Sequence, residues 1–282
     1  MKIIQDIKTI HRAIAGMKAK GQTIGFVPTM GYLHQGHAAL LRRCKKENDI
    51  SVLSIFVNPK QFAPDEDFAR YPRDLKKDEL LAKKENVDII FHPSVEEVFP
   101  DGYRTYVEVE GLSETLCGRT RSGHFKGVAT IAAKLLNIIS PDVMYLGQKD
   151  AQQAAILSKM VQDLNLPVRV KIHPTLREKD GLAMSSRNMY LSEQQRKEAP
   201  ILFQALNAAK TKILKGERSS SCIIPFISKM ISRNTSGRID YIEWVDGKTL
   251  APIKIFKDNV LLTLAVWFGP ARLIDNVVVR IR

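Results

Sequence analysis

Residues 23–37 read TIGFVPTMGYLHQGH, and their reading decides the fold. The apolar run 23–27 predicts a strand, which Pro28 ends because it has no N–H to give to a ladder. Helical spacing resumes at Ala38, Leu41 and Cys44, so a strand passes through a short polar loop into a helix. The unit then recurs. Residues 50–57 form a near-continuous apolar run, as a buried parallel strand does. A helix is expected over 74–85 and a strand over 87–91. Helix 126–139, strand 143–146, helix 150–164 and strand 168–172 continue the alternation. Upstream, Ile3, Ile7, Ile10, Ile14 and Met17 mark one apolar helix face that ends near Gly21. Residues 105–109 read as an extra strand outside the rhythm. Strands separated by helices imply right-handed crossovers and a parallel sheet covered on both faces. Ligands of such sheets bind beyond the carboxyl ends of the strands.

After residue 176 the rhythm changes. Ser192 and Gln195 form a capping box before a long helix through 214, and a second helix is expected over 220–232. Strands follow over 239–245, 260–266 and 273–281. The expected fold is therefore α/β: a parallel-sheet domain over 1–176 and a smaller C-terminal α+β domain over 177–282.

Composition narrows the function. The chain has 282 residues with 44% hydrophobic and 26% charged side chains, which suits a globular protein and excludes a disordered or collagen-like one. No apolar run approaches the ~20 residues of a membrane helix. Lys2, Asp6, Lys8 and Arg12 interrupt the first isoleucines, so no secretory signal is expected. Cys44, Cys117 and Cys222 are far apart, odd in number and without a CxxC, as reduced thiols of a cytoplasmic protein would be. The net charge is +13, of which residues 1–176 carry +5 and residues 177–282 carry +8. No block of five consecutive basic residues occurs, so the excess suits a solvated surface or small anions better than nucleic acid.

Four polar clusters fall just past four expected strands. The first is the loop 28–37. If a helix starts near Gly36, His34 and His37 sit over its first turn, where backbone N–H groups and the helix dipole favour an anion. Gly31 and Gly36 allow close approach. Two satisfied surface histidines, or a zinc site, are the competing readings; no HExxH is present. The second is GQKDAQQ, residues 147–153, where Lys149 can neutralise phosphate, Asp150 can accept from a ribose or cap a helix, and Gln153 can donate to a carboxylate. A polar helix start is the alternative. The third is MSSRN, residues 184–188, whose hydroxyls and guanidinium suit a phosphate clamp or simply a polar loop. The fourth is NPKQF, residues 58–62, in which Asn58 and Gln61 could hold a small polar substrate. Neither GxxxxGK[ST] nor GxGxxG is present, which argues against a P-loop or the usual dinucleotide site.

Over residues 22–190 the sequence resembles the pantoate–β-alanine ligases of the HIGH-motif nucleotidyltransferase superfamily. The resemblance rests on PTMGYLHQGH, FVNPKQF, YPRD, GRTRSGHFKGV, GQKDAQQ and DGLAMSSRN, in that order. Ser122 and Leu136 depart from the family pattern, where proline and an aromatic are usual, and the C-terminal third carries no matching motif. The resemblance implies ATP-dependent condensation of (R)-pantoate with β-alanine through a pantoyl adenylate, releasing AMP and pyrophosphate. It implies a Rossmann-like ATP- and pantoate-binding catalytic domain with a smaller C-terminal lid, a homodimer, and Mg²⁺ beside the nucleotide. It assigns His37 as proton donor and places His34, Lys149 and Arg187 with it on the developing phosphate charge, with Ser185 and Ser186. Met30, Gly31, Gly147, Asp150, Leu176 and Met184 are expected around the nucleotide. Gln61 and Gln153 are expected on pantoate, Gln61 also near β-alanine, with Asn58, Tyr71 and Arg121 in lesser roles and Asp78 as a candidate for the magnesium. Rival readings are a HIGH-motif enzyme that leaves AMP on a phosphate, and a basic RNA-binding module; no RNA-binding motif supports the latter, and aromatics are only 7%.

Overall fold

The computed structural model describes residues 1–64, 66, 68–247, 249–255 and 259–280. The elements run β1 (Lys2–Ile4), α1 (Ile7–Lys18), β2 (Ile24–Thr29), α2 (Gln35–Glu47), β3 (Ile50–Ile55), α3 (Leu75–Lys84), β4 (Ile89–Phe91), α4 (Val95–Val98), α5 (Cys117–Thr120), α6 (His124–Ile139), β5 (Val143–Gly147), α7 (Ala151–Asp163) and β6 (Arg169–His173). There follow α8 (Glu193–Glu198), α9 (Ile201–Leu214), α10 (Ser220–Asn234), β7 (Arg238–Asp246), β8 (Asn259–Phe268) and β9 (Ala271–Arg280). The chain divides into two compact units. The first comprises 1–114, 118–148 and 156–174; the second comprises 115–117, 149–155 and 175–282.

The first unit is built on a parallel sheet of order β1-β4-β3-β2-β5-β6. Alternate residues of each strand face opposite sides. Val27, Leu53, Ile55, Ile90, Val143 and Tyr145 form one buried face, filled by Leu40, Leu41 and Cys44 of α2 and Ala82 of α3. Strand order reverses between β2 and β5, so the loops leaving their carboxyl ends flank the switch point where such sheets bind ligands. The HxGH loop leaves β2 there, and β5 ends there at Gly147.

The second unit carries the antiparallel sheet β7-β8-β9. Leu202, Ala205, Leu206, Ala209 and Ile213 of α9 and Ile223, Ile227 and Ile231 of α10 pack on Trp244, Leu262, Leu264 and Phe268. The expected α/β domain with a smaller α+β domain is what the chain forms.

Four local expectations need correction. Ile3 is not on the first helix: Asp6 caps α1 by accepting from the Thr9 N–H at 2.8 Å, so the helix begins at Ile7 and residues 2–4 pair with β4 instead. Pro28 does not end β2, because the pairing with β5 already stops at Phe26 and no ladder bond on that side is lost. Residues 105–109 are not a strand; the Val107 N–H is taken by Thr130 Oγ1 on α6 at 3.0 Å. The long helix through 214 is two helices. Pro200 cannot donate to the carbonyl of Arg196, so α8 stops and the proline starts α9. Ile281, the last residue of the expected final strand, lies outside the described residues.

Glu47 at the end of α2 ties that helix to β5 and β6. It accepts from Lys171 Nζ at 2.7 Å, Arg43 Nε at 3.0 Å and the Tyr145 hydroxyl at 2.9 Å. Lys171 first, then Arg43, hold its carboxyl down to about 2 from the ordinary 4.5. A depressed carboxylate stabilises the fold above its unfolded value and loses that contribution as pH falls through the folded one. Glu47→Gln should therefore lower the melting temperature at pH 7 and make its decline between pH 4.5 and about 2 shallower than in the parent. A decline of unchanged steepness in thermal melts across that window would show that Glu47 contributes nothing to it.

Candidate active site

The HxGH loop is held by two devices, both in the first unit. Gly31 and Tyr32 lie at φ +83° and +50°, in the left-handed region that costs a non-glycine residue about 1–2 kcal/mol. This turns the Tyr32 and Leu33 N–H groups into a small concave nest. Asp78 of α3 fills it, accepting from the Tyr32 N–H at 2.8 Å with one oxygen and from the Leu33 N–H at 2.6 Å with the other. Asp78 is 1% exposed. Burial pushes its carboxyl above the usual aspartate range, against the pull of the two amides. A side chain at Gly31 would begin 2.9 Å from Asp78 Oδ2, so only glycine lets the carboxylate come this close.

The second device is a reciprocal cap made of histidines. His34 is the residue before α2, and its Nδ1 accepts from the Gly36 N–H at 3.1 Å. His37 Nδ1 in turn accepts from the His34 N–H at 3.3 Å. The rings lie 4.1 Å apart and tilted by 36°. A neutral imidazole whose Nδ1 accepts carries its proton on Nε2. Both rings are thereby set as Nε2–H donors. The sequence predicts backbone amides of this loop presented to an anion. Those of Tyr32, Leu33, His34 and Gly36 instead donate to partners within the protein.

The turn after β3 is equally constrained. Asn58 Oδ1 accepts from the Lys60 N–H, and Asn58 Nδ2 donates to Gln61 Oε1 and to the Gly127 carbonyl, both at 3.1 Å. Gln61 Nε2 donates to Met30 Sδ at 2.9 Å, which brings Gln61 and Met30 together. The Gln61 carbonyl meets His124 Nδ1 at 2.8 Å and the Arg121 guanidinium at 3.4 Å. Arg121 is also paired with Glu66 at 2.6 Å, so its charge is answered within the protein. Tyr71 is buried, its ring edge-on to Phe62 at 5.9 Å. His124 and Gly127 were not singled out from the sequence, although both lie in GHFKGV. A Cβ at Gly127 would sit 2.1 Å from the Lys60 carbonyl oxygen, so glycine is what lets α6 touch this turn. Gly147 closes β5 at the switch point.

In the second unit the strip 176–184 folds back on itself. The Met184 N–H donates to the Leu176 carbonyl at 3.1 Å and the Glu178 N–H to the Leu182 carbonyl at 2.8 Å, which sets Leu176 beside Met184. Ser185 Oγ accepts from the Arg187 N–H at 3.3 Å and starts the short turn Ser186–Tyr190, leaving its hydroxyl proton to donate. Lys149 and Ser185 line one cavity of about 10 Å³, together with Asn188 and Asp275. Lys149 Nζ lies 3.4 Å from Asp150 Oδ1. Gln153 is half-buried, whereas its neighbour Gln152 is buried on the Thr115 carbonyl and the Cys117 N–H. Lys149, Ser185 and the Leu176–Met184 pair thus belong to one unit, and Met30, Gln61, His34 and His37 to the other.

Asp78 is the residue expected beside magnesium. Asp78 is buried with both oxygens on loop amides, a poor fit to a metal ligand. Among the described residues no three His, Cys, Asp or Glu side chains are gathered where they could hold a metal ion.

The family model for pantoate-beta-alanine ligase matches residues 2–278. The chain is 52% identical over 279 residues to the pantothenate synthetase of Caldicellulosiruptor bescii, covering 99% of each, and 52% identical over 278 residues to that of Thermotoga petrophila, again covering 99% of each. The crystal structure of pantothenate synthetase from Thermus thermophilus superposes with a TM-score of 0.93 at 42% identity, over 98% of this chain and 99% of that one. A pantoate-beta-alanine ligase from Francisella tularensis, described as complexed with beta-gamma ATP and beta-alanine, superposes with a TM-score of 0.79 at 33% identity, over 98% and 97%. With the motifs in order, the fold matched from end to end and the family model spanning nearly every residue, the chain belongs to the pantoate–β-alanine ligase family.

Proposed function

We propose that the chain joins (R)-pantoate to β-alanine in two steps. A carboxylate and an amine do not condense in water, because the departing oxygen is a poor leaving group. In the first step a pantoate carboxylate oxygen attacks the α-phosphorus of ATP and pyrophosphate leaves. In the second the β-alanine amine attacks the acyl carbon of the pantoyl adenylate, and AMP leaves with the electron pair of the broken C–O bond. The observation that carries this reading is the histidine pair at the start of α2, set as Nε2–H donors by the reciprocal cap.

The two imidazoles donate to oxygens of the α-phosphate and the departing pyrophosphate, where negative charge grows. Preorganised donors of this kind contribute about 3–4 kcal/mol each in enzymes where their loss has been measured. His37 gives its proton toward the leaving phosphate. Lys149, Ser185, Ser186 and Arg187 neutralise the same charge. Met30, Gly31, Gly147, Asp150, Leu176 and Met184 border the nucleotide. Gln61, whose amide is oriented by Asn58 and Met30, holds pantoate together with Gln153, and Gln61 also meets the incoming β-alanine. Arg121, paired with Glu66 and bound to the Gln61 carbonyl, and Tyr71, packed on Phe62, shape that turn. Magnesium, when bound, would accompany the triphosphate and screen its charge.

Residues 1–176 form the catalytic part, and 177–282 the lid that shields the adenylate from water. The resemblance supports a homodimer in the cytoplasm, and three cysteines outside any disulfide suit a reducing compartment. No described helix is long and apolar enough to cross a membrane.

Pyrophosphate should appear from ATP and pantoate alone, in an amount equal to enzyme, and AMP only when β-alanine is added. Release of AMP without amine would contradict the two-step order. His37→Asn keeps an acceptor for the His34 N–H but removes the imidazole; turnover should fall by about 10²–10⁴ while the melting temperature stays close to the parent's. Activity within threefold of the parent would remove His37 from the chemistry. Gly127→Ala should push the Asn58–Gln61 turn out of place, raising the KM for pantoate several-fold with little change in the KM for ATP. Equal changes in both would mean that the turn does not hold pantoate.

A further inference from the structure

The C-terminal strand carries no motif of the resemblance, yet two adjacent residues on it bind both parts of the second unit assigned to phosphate. Successive side chains of a strand point to opposite faces. On one face of β9, Asp275 accepts from Arg177 with both oxygens, at 2.6 and 2.9 Å. The same guanidinium donates to the Gly181 carbonyl at 3.1 Å and stacks 3.6 Å from the Phe203 ring centre. This fixes the folded-back strip 176–184 that leads directly into Ser185, Ser186 and Arg187. On the other face, Asn276 Nδ2 donates to the main-chain carbonyl of Lys149 at 2.9 Å. Asp275 is 3% and Asn276 4% exposed, so neither bond has water to replace it.

A second tether lies on the Asn276 face, four residues back along the strand. Arg272 pairs with Asp240 at 2.6 Å and reaches Cys117 Sγ at 3.3 Å. The Cys117 N–H donates to Gln152 Oε1 at 3.0 Å, in the first turn of α7. The segment 149–155 is thus held to β9 at both Lys149 and Gln152. The result is visible in the cavity that Lys149 and Ser185 share, whose wall includes Asp275 itself.

We propose that Asp275 and Asn276 are positioning residues of the ligase: they set the distance between Lys149 and the Ser185–Arg187 turn, so that ammonium, hydroxyls and guanidinium meet the spacing of a polyphosphate. The proposal rests on the reading that Lys149 and Ser185–Arg187 bind the triphosphate. Asn276 does not touch ligand; it acts through the Lys149 backbone. A displacement of about 1 Å in such a group is enough to cost about a hundredfold in rate.

The test is a double-mutant cycle on pantoate-dependent pyrophosphate release, using the full chain with ATP and pantoate. Asn276→Asp keeps the shape but replaces the N–H donor with a second acceptor facing the Lys149 carbonyl. It should raise the KM for ATP or lower the first-step rate by about 10- to 100-fold, with the KM for pantoate unchanged. Combined with Lys149→Ala, it should add little beyond Lys149→Ala alone, because one acts through the other. Should Asn276→Asp fail to yield folded protein, Asn276→Ala, which removes the donor without adding charge, carries the same comparison. Losses that multiply in the double variant, or a single variant with parental KM for ATP and parental rate, would overturn the positioning role. A Lys149→Ala variant with unimpaired pyrophosphate release would instead overturn the underlying assignment of Lys149 to the phosphates, which separates the two failures.

Discussion

Everything in the first unit's site depends on how the backbone between β2 and α2 is satisfied. A loop that turns through two left-handed residues and then starts a helix exposes a run of N–H groups. In many anion sites those groups meet the ligand. Here a buried carboxylate and two imidazoles take four of them. The loop is therefore held from within the protein, and in the proposed reaction the histidines are the donors. A cap residue is normally Ser, Thr, Asp or Asn, and using histidine for it fixes a tautomer as well as a helix end. The same two bonds hold up the helix and point the proton.

The same economy recurs away from the histidines. Gln61 has its amide oxygen on Asn58, its amide nitrogen on Met30 and its carbonyl on His124, so a residue assigned to substrate is oriented before substrate binds. Gly127 makes this possible by letting α6 meet the turn without a Cβ between them. In the second unit, Asp275 and Asn276 use the opposite faces of one strand for the same purpose. A site of this kind works by holding charge-bearing groups at fixed separations, since donors that need no reorganisation favour the transition state most.

The sequence made the alternation of strands and helices legible because apolar periodicity and the loops after the strands agree with each other. The clusters HxGH, GQKD and SSRN stood out as candidates because they are short, polar and contiguous. What it hid were bonds between distant segments. Nothing near Asp78 announces that its carboxylate reaches back 45 residues to Leu33. Asn276 lies 127 residues from Lys149 and looks like any polar residue in a strand. The local errors have local causes: Asp6 caps a helix that the isoleucine spacing starts too early, Pro200 divides one that the spacing carries through, and Thr130 takes the N–H that residues 105–109 would need for a ladder.

The claim that the reciprocal cap fixes both histidines as Nε2–H donors is open to direct observation. Long-range ¹H–¹⁵N NMR of the ligand-free protein, at about pH 8.5 and so above the ordinary histidine range, reports which ring nitrogen of each imidazole carries the proton. Both His34 and His37 should show the Nε2–H form. A proton on Nδ1 of either ring would break the cap described here and, with it, the assignment of that imidazole as a donor to the nucleotide.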